Sequence, residues 1–140
     1  VREHLFKEYS ALQVEGLEAD DLIGIRAGEL RKQGEDYIVI SGDKDLDQIP
    51  GLHYNARHKK FYEVTDDEGI RYIWQQMLTG DAADNVKGIK GIGDKTALKM
   101  MLDVKTEDLQ ELVTRSYKDA DIHGRFDSNL ICLTILQESK

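Results

Sequence analysis

The run Tyr37-Ile38-Val39-Ile40, closed by Ser41-Gly42, constrains the fold most. It is short, continuous and rich in β-branched residues, which predicts a strand covered on both faces and hence a parallel sheet. Just before it, from Ala19 to Lys32, Ile23, Ala27 and Leu30 recur at intervals of four and three beside Leu22 and Ile25, and Gly34 supplies a stop. That spacing predicts a mostly buried helix. A buried helix leading into a buried strand places the chain in the α/β class.

Other elements follow from the same patterns. Leu5, Phe6, Tyr9 and Leu12 fall at helical spacing ahead of a break at Gly16. Leu52–Asn55 and Lys60–Val64 read as two short strands joined by a basic turn, Arg57 to Lys60. Thr65-Asp66-Asp67-Glu68 fits a capping box, ahead of a helix carrying Ile70, Ile73, Trp74, Met77 and Leu78 and ending at Gly80. Beyond Gly80 only helical patterns follow, so residues 1–79 read as part of an α/β core and 80–140 as a small all-helical subdomain.

With 140 residues and 40% hydrophobic content, the chain suffices for one domain or two small ones. No segment resembles a membrane span of about 18 apolar residues or a secretory signal, so the expected compartment is the cytoplasm. The chain opens at Val1 without an initiator Met, which predicts part of a longer product. The lone Cys132, in the apolar run Leu130 to Leu136, is expected to be a buried reduced thiol.

A net charge of −8 and a pI near 5.0 ordinarily argue against a nucleic-acid partner. The acids, however, are concentrated. Glu18-Ala19-Asp20-Asp21 opens the first predicted long helix, where the helix dipole tolerates negative charge. Gly42-Asp43-Lys44-Asp45 directly follows the buried strand, where α/β sheets place their ligands. Gly80-Asp81-Ala82-Ala83-Asp84-Asn85 carries two acids three apart, which would share a face if the turn were helical. Removing the −7 of Glu18, Asp20, Asp21, Asp43, Asp45, Asp81 and Asp84 from −8 leaves −1 on everything else.

Among 27 Asp and Glu some pairs arise by chance, and Asp66-Asp67 reads only as a charged first helical turn. The seven together fit hard divalent cations such as magnesium or manganese. Two such ions about 4 Å apart activate a water and stabilise the leaving oxygen of a phosphodiester. Zinc is disfavoured, because His4, His53, His58 and His123 show no ligand spacing.

Gly88, Gly91 and Gly93 alternate with Ile89 and Ile92 and run into Asp94-Lys95-Thr96-Ala97-Leu98 at a helix start. Such glycines let a backbone turn tightly against a phosphate, and the helix N-terminus offers free amides. A plain helix-helix turn is the alternative. Lys87, Lys90, Lys95 and Lys99 make this the densest basic stretch, which favours contact with a DNA backbone.

Taken in order, Val14-Glu15-Gly16-Leu17-Glu18-Ala19-Asp20-Asp21, Ser41 to Asp45, Gly80 to Asn85 and Gly88 to Ala97 resemble the 5′-nuclease family. That family contains phage 5′→3′ exonucleases, the nuclease domain of bacterial DNA polymerase I, and flap endonucleases. The resemblance spans about residues 14 to 100. It implies a partial parallel-sheet nuclease core followed by a helical DNA-binding subdomain with a glycine-rich hairpin. It also implies a catalytic metal held by Glu18, Asp20 and Asp21, and a second ion amid Asp43, Asp45, Asp81 and Asp84, with Asp20, Asp21 and Asp43 nearest the chemistry. Gly88 to Thr96, including Lys87, Lys90, Gly91, Gly93 and Lys95, would grip duplex DNA, with a potassium ion at the hairpin carbonyls. The family's first strand, with a further Asp, and its helical arch have no counterpart here. Either a preceding segment or a partner chain is expected to supply them, or this copy is catalytically dead.

The implied function is metal-dependent hydrolysis of DNA at 5′ ends, flaps or branched duplex. A non-catalytic module that recognises branched DNA is the alternative. A phosphatase or kinase built on Asp43-Lys44-Asp45 lacks a Walker loop.

Overall fold

The computed structural model describes Val1–Ser139. It divides into two compact units: Val1–Tyr37 together with the end of the chain from Leu136, and Ile38–Ile135.

In the first unit, α1 (Arg2–Tyr9) buries none of its residues and ends at Ser10 in the left-handed region. Helix α2 (Ala19–Gln33) stops at Gly34, φ 70°, where the Glu35 N–H returns to the Leu30 carbonyl. Its buried positions are Gly24, Ala27 and Gly28, whereas Ile23 is 39% exposed. The predicted, mostly buried helix is thus buried along a strip of small residues. The strip exists for close approach, since a Cβ on Gly28 would overlap the Gln137 carbonyl. The same segment is tied to α2 by an ion pair, Lys32 to Glu138 at 2.9 Å.

In the second unit, β1 (Ile38–Ser41) pairs parallel with β2 (Gly51–Asn55), and β2 pairs antiparallel with β3 (Lys60–Val64). The three-stranded sheet is mixed, where the β1 pattern predicted a parallel one, because the short turn after β2 sends the chain straight back. Residues alternate faces along each strand. Val39, His53 and Val64 lie on the buried face, while Ile38, Ile40, Leu52 and Phe61 are 48%, 67%, 40% and 59% exposed. The expectation that β1 is covered on both faces is therefore corrected: one face is covered. His53 is held there by its Nε2 at 2.7 Å from the Ile49 carbonyl and by stacking on Tyr62.

Helix α3 (Asp66–Thr79) begins with the predicted capping box. Thr65 Oγ1 accepts from the Glu68 N–H, and the Glu68 carboxylate accepts from the Thr65 N–H. Asp66 and Asp67 form its charged first turn. At its far end Met77 and Leu78 enter a core with Ile89, Ala97 and Met101, and with Leu109, Val113, Tyr117 and Leu133. These come from α4 (Asp94–Met101), α5 (Leu109–Asp119), α6 (Phe126–Leu133) and the segment leading to them. A two-residue ladder joins Gly80–Asp81 (β4) to Val86–Lys87 (β5), a pairing too short to leave any alternation in the sequence. Residue 80 lies inside this unit.

Tyr117 closes the core with a polar tip. Its hydroxyl donates to the Met77 carbonyl at 2.6 Å, at the end of α3 where carbonyls lack helical partners, and accepts from Asn129 Nδ2 at 3.0 Å. Tyr117→Phe should keep the packing and cost about 1–2 kcal/mol of stability in urea denaturation, since both partners stay buried. An unchanged midpoint would show that the hydroxyl contributes nothing. Cys132, expected to be buried, is exposed: Asn129 and Leu133 take the inward positions of α6, which turns Cys132 and Ile131 outward. Among the described residues, no helix is long and apolar enough to cross a membrane.

Candidate metal centre and nucleic-acid interface

The loop after β1 wires itself into shape. Ser41 Oγ accepts from the Asp43 N–H, and Asp43 Oδ1 accepts from the Asp45 N–H, both at 3.0 Å. Asp45 then starts a 3-10 turn, Asp45–Gln48, that carries Leu46 and Gln48 into the interior. Asp43 and Lys44 stay exposed, and Asp45 is half-buried. Asp47 accepts a 2.6 Å hydrogen bond from Tyr62, whose hydroxyl is pushed up to about 12 by burial and by that carboxylate.

The Asp81–Asp84 segment forms a turn, correcting the helical geometry considered for it. Asp81 Oδ1 accepts from the Ala83 N–H at 2.7 Å and the Asp84 N–H at 3.4 Å, and Asn85 takes the left-handed conformation, φ 56°, that Asn tolerates. The turn still brings its acids together. Asp45, Asp81 and Asp84 each offer a carboxylate oxygen, and the three oxygens lie within 4.8 Å of one another. Asp45 responds: burial first, then the charges of Asp43, Asp81 and Asp84, raise its pKa from an ordinary 3.8 to about 6, against a Gln76 hydrogen bond that lowers it. Burial first, then the charges of Asp45, Asp47, Asp81 and Asp43, push the Tyr72 hydroxyl up as well. An all-oxygen donor set whose members repel one another is what a hard divalent cation fits, because the ion relieves the repulsion.

Glu18, Asp20 and Asp21 belong to the first unit. Glu18 is the N-cap of α2, exposed and without a side-chain capping bond. Asp20 Oδ1 accepts from the Asp21 N–H at 3.1 Å, and Asp21 Oδ1 from the Leu136 N–H at 2.9 Å.

Two residues of the centre escaped the sequence reading. Gln76, on α3, donates to Asp45 Oδ1 at 2.7 Å, and Gln48 donates to Gln76 Oε1 at 2.7 Å. Both are buried, at 7% and 1% exposure. The signal was available, since Gln76 follows Ile73 by three and adjoins Met77, a core-facing position for an amide.

The glycine hairpin hangs from the core. Ile89 is buried, Ile92 packs beside it, and the Ile92 N–H returns to the Ile89 carbonyl at 3.1 Å. This leaves Lys90 and Gly91 outward, with Gly91 at φ 86°. Gly93 is the N-cap of α4, and Lys95, Thr96 and Lys99 are exposed along it. Lys87, Lys90 and Arg125 border a cleft of about 710 Å³ whose lining includes the hairpin residues Gly88 to Ile92. Gly88 has a different constraint. A Cβ there would strike the Leu78 carbonyl at 2.6 Å and overlap Thr79 and Gly80, so its missing side chain lets the chain just beyond β5 pass against the end of α3.

No family model matches the chain. It is 41% identical over 96 residues to a 5′-3′ exonuclease of Buchnera aphidicola, which covers 62% of this chain and 34% of that protein. It is 37% identical over 123 residues to DNA polymerase I of Rhizobium leguminosarum, covering 81% of this chain and 12% of the relative. Thermostable DNA polymerase I of Thermus aquaticus is 36% identical over 98 residues, again with 12% of the relative covered. The chain thus spans about a third or less of these relatives. The fold matches a bacteriophage T5 flap endonuclease solved with DNA and metal ions, at TM-score 0.63 and 20% identity, covering 94% of this chain and 60% of that one. A T5 5′-exonuclease matches at TM-score 0.57 and 20% identity, covering 87% of this chain and 62% of that one. Shared sequence with these exonucleases and polymerases, on a shared fold, makes this chain a partial domain of the 5′-nuclease family.

Proposed function

We propose that this chain contributes to metal-dependent hydrolysis of DNA phosphodiesters at 5′ ends or flaps. The observation that carries the reading is the convergence of Asp45, Asp81 and Asp84, whose carboxylate oxygens lie within 4.8 Å of one another. Asp45, Asp81 and Asp84, with Asp43 beside them, would hold one magnesium or manganese ion, and Glu18, Asp20 and Asp21 another. Bound ions of this kind supply an activated water and stabilise the departing oxygen. The remaining work falls to the chain. Residues 1–79 would serve as part of the nuclease core and 80–140 as the part that grips DNA. Lys87, Lys90, Lys95 and Thr96, with the Gly88 to Gly93 backbone, would hold the duplex phosphates, and the hairpin carbonyls a potassium ion. The flap endonuclease with the same fold was solved with DNA and metal ions, which supports both assignments.

The test is cleavage of an end-labelled 5′-flap DNA in manganese. The expected result is cutting by the wild-type chain that Asp81→Asn abolishes. Equal cutting by both overturns the reading, and retained flap binding without cutting by either identifies a DNA-binding module instead. Lys87→Ala with Lys90→Ala should weaken duplex binding and reduce its log–log salt slope by about one unit per lost phosphate contact. An unchanged slope removes the hairpin from the interface.

A further inference from the structure

We propose that Gln48 and Gln76 form a buried amide relay that fixes the Asp45 carboxylate for the cation, making both of them positioning residues for that site. The inference rests on the metal reading above and adds residues that reading does not contain.

The relay has a direction set by the backbone. At its far end the Ile135 N–H donates to Gln48 Oε1 at 3.0 Å, while Gln48 Nε2 donates to the Leu133 carbonyl at 2.6 Å. A backbone N–H can only donate and a carbonyl only accept, so these two contacts fix which end of the Gln48 amide is which. Gln48 Nε2 therefore meets Gln76 as a donor, at 2.7 Å from Gln76 Oε1. That in turn commits Gln76 Nε2 to the other side, where it donates to Asp45 Oδ1 at 2.7 Å. Two amide flips are decided by one stretch of backbone, and the last link is an N–H aimed at a carboxylate oxygen.

Three consequences follow. Asp45 is held as an acceptor at Oδ1, which keeps its other oxygen for a further partner. Its rotamer is locked by a donor on α3, the helix that runs directly into β4 and Asp81. The lock is also dry, because both glutamines are buried. Hydrogen bonds of this kind orient ligating side chains, and their loss commonly weakens metal affinity by about 10–100-fold. Joining α3 to the 3-10 turn would not by itself require the relay to end on a member of the converging acidic group.

The test is manganese binding by the whole chain, measured well below its melting temperature. Gln76→Met fills the same space without a donor, and Gln76→Asn keeps an amide but falls one methylene short. Both should raise the manganese Kd about tenfold or more relative to wild type. Tyr117→Phe, which loses a buried hydrogen bond elsewhere in the same unit, should leave the Kd unchanged. Should Gln76→Met fail to fold, the Gln76→Asn comparison decides. Wild-type affinity in the Gln76 variants overturns the relay while leaving the metal reading intact. Equal weakening in Tyr117→Phe overturns it too, as a general effect of destabilisation. If wild type itself shows no saturable binding, the metal reading fails and the relay with it.

Discussion

Gly88→Ala is expected to destabilise the chain by about 3 kcal/mol or more, the range of backbone overlaps that no rotamer can relieve. The new methyl would meet main-chain atoms of Leu78, Thr79 and Gly80, none of which can swing away as a side-chain tip could. For a chain of this size the loss corresponds to a drop in Tm of roughly 10 °C. The neighbouring glycines make internal controls. Gly91 has open space but φ 86°, so Gly91→Ala should cost only about 1 kcal/mol. Gly93 has open space and φ −100°, so Gly93→Ala should cost only the poorer N-cap that Ala makes, about 0.5 kcal/mol. Urea denaturation of the three variants should rank Gly88 far above Gly91, and Gly91 above Gly93. A tolerated Gly88→Ala would mean that β4 and β5 can part at little cost. The functional consequence is close by: β4 ends on Asp81, which pairs with Val86 two residues before Gly88, so the close approach that needs Gly88 also sets one acid of the metal group.

Magnesium should raise stability, and its effect should depend on pH with a definite sign. A ligand at a hundredfold excess over its Kd stabilises the native state by about 2.7 kcal/mol, or roughly 8 °C in Tm here. Without the ion, Asp45 is harder to ionise folded than unfolded, since its pKa rises from 3.8 to about 6. In that window the folded state binds more protons, so this group's contribution makes stability fall as pH rises from about 4 to about 6. With the ion the trend reverses, because the cation needs the carboxylate and its benefit grows as pH climbs through about 6. Melting curves with and without magnesium should therefore diverge as pH increases, and Asp45→Asn should remove most of the divergence. Parallel curves would mean that Asp45 is not part of a cation site.

The sequence disclosed those features whose cause is local. Thr65 and Glu68 cap α3, Gly34 stops α2, and β1 ends on the acidic loop, because each depends on chemistry within a few residues. Long-range features were partly hidden. The apolar run of β1 is the same whether one face is covered or two, so the exposure of Ile38 and Ile40 could not be read from it. The β4–β5 ladder is two residues long, and the Asp81–Asp84 turn rests on one carboxylate accepting two backbone N–H groups. Grouping Asp45 with Asp81 and Asp84 was legible only through resemblance to a family. Of the glutamine relay only the core-facing position of Gln76 was legible, because the relay depends on 28 residues of separation between Gln48 and Gln76 and 87 between Gln48 and Ile135. Gly88 was read as one of three equivalent hairpin glycines, and only the crossing with α3 separates it from Gly91 and Gly93.

The most direct measurement of the central claim is manganese titration of the whole chain, followed by the electron paramagnetic resonance signal of the free ion. Wild type is expected to remove manganese saturably from solution, and Asp45→Asn combined with Asp81→Asn to lose the site that those acids form. Manganese left free at every ratio, or bound equally by the double variant, would contradict a metal centre at Asp45, Asp81 and Asp84.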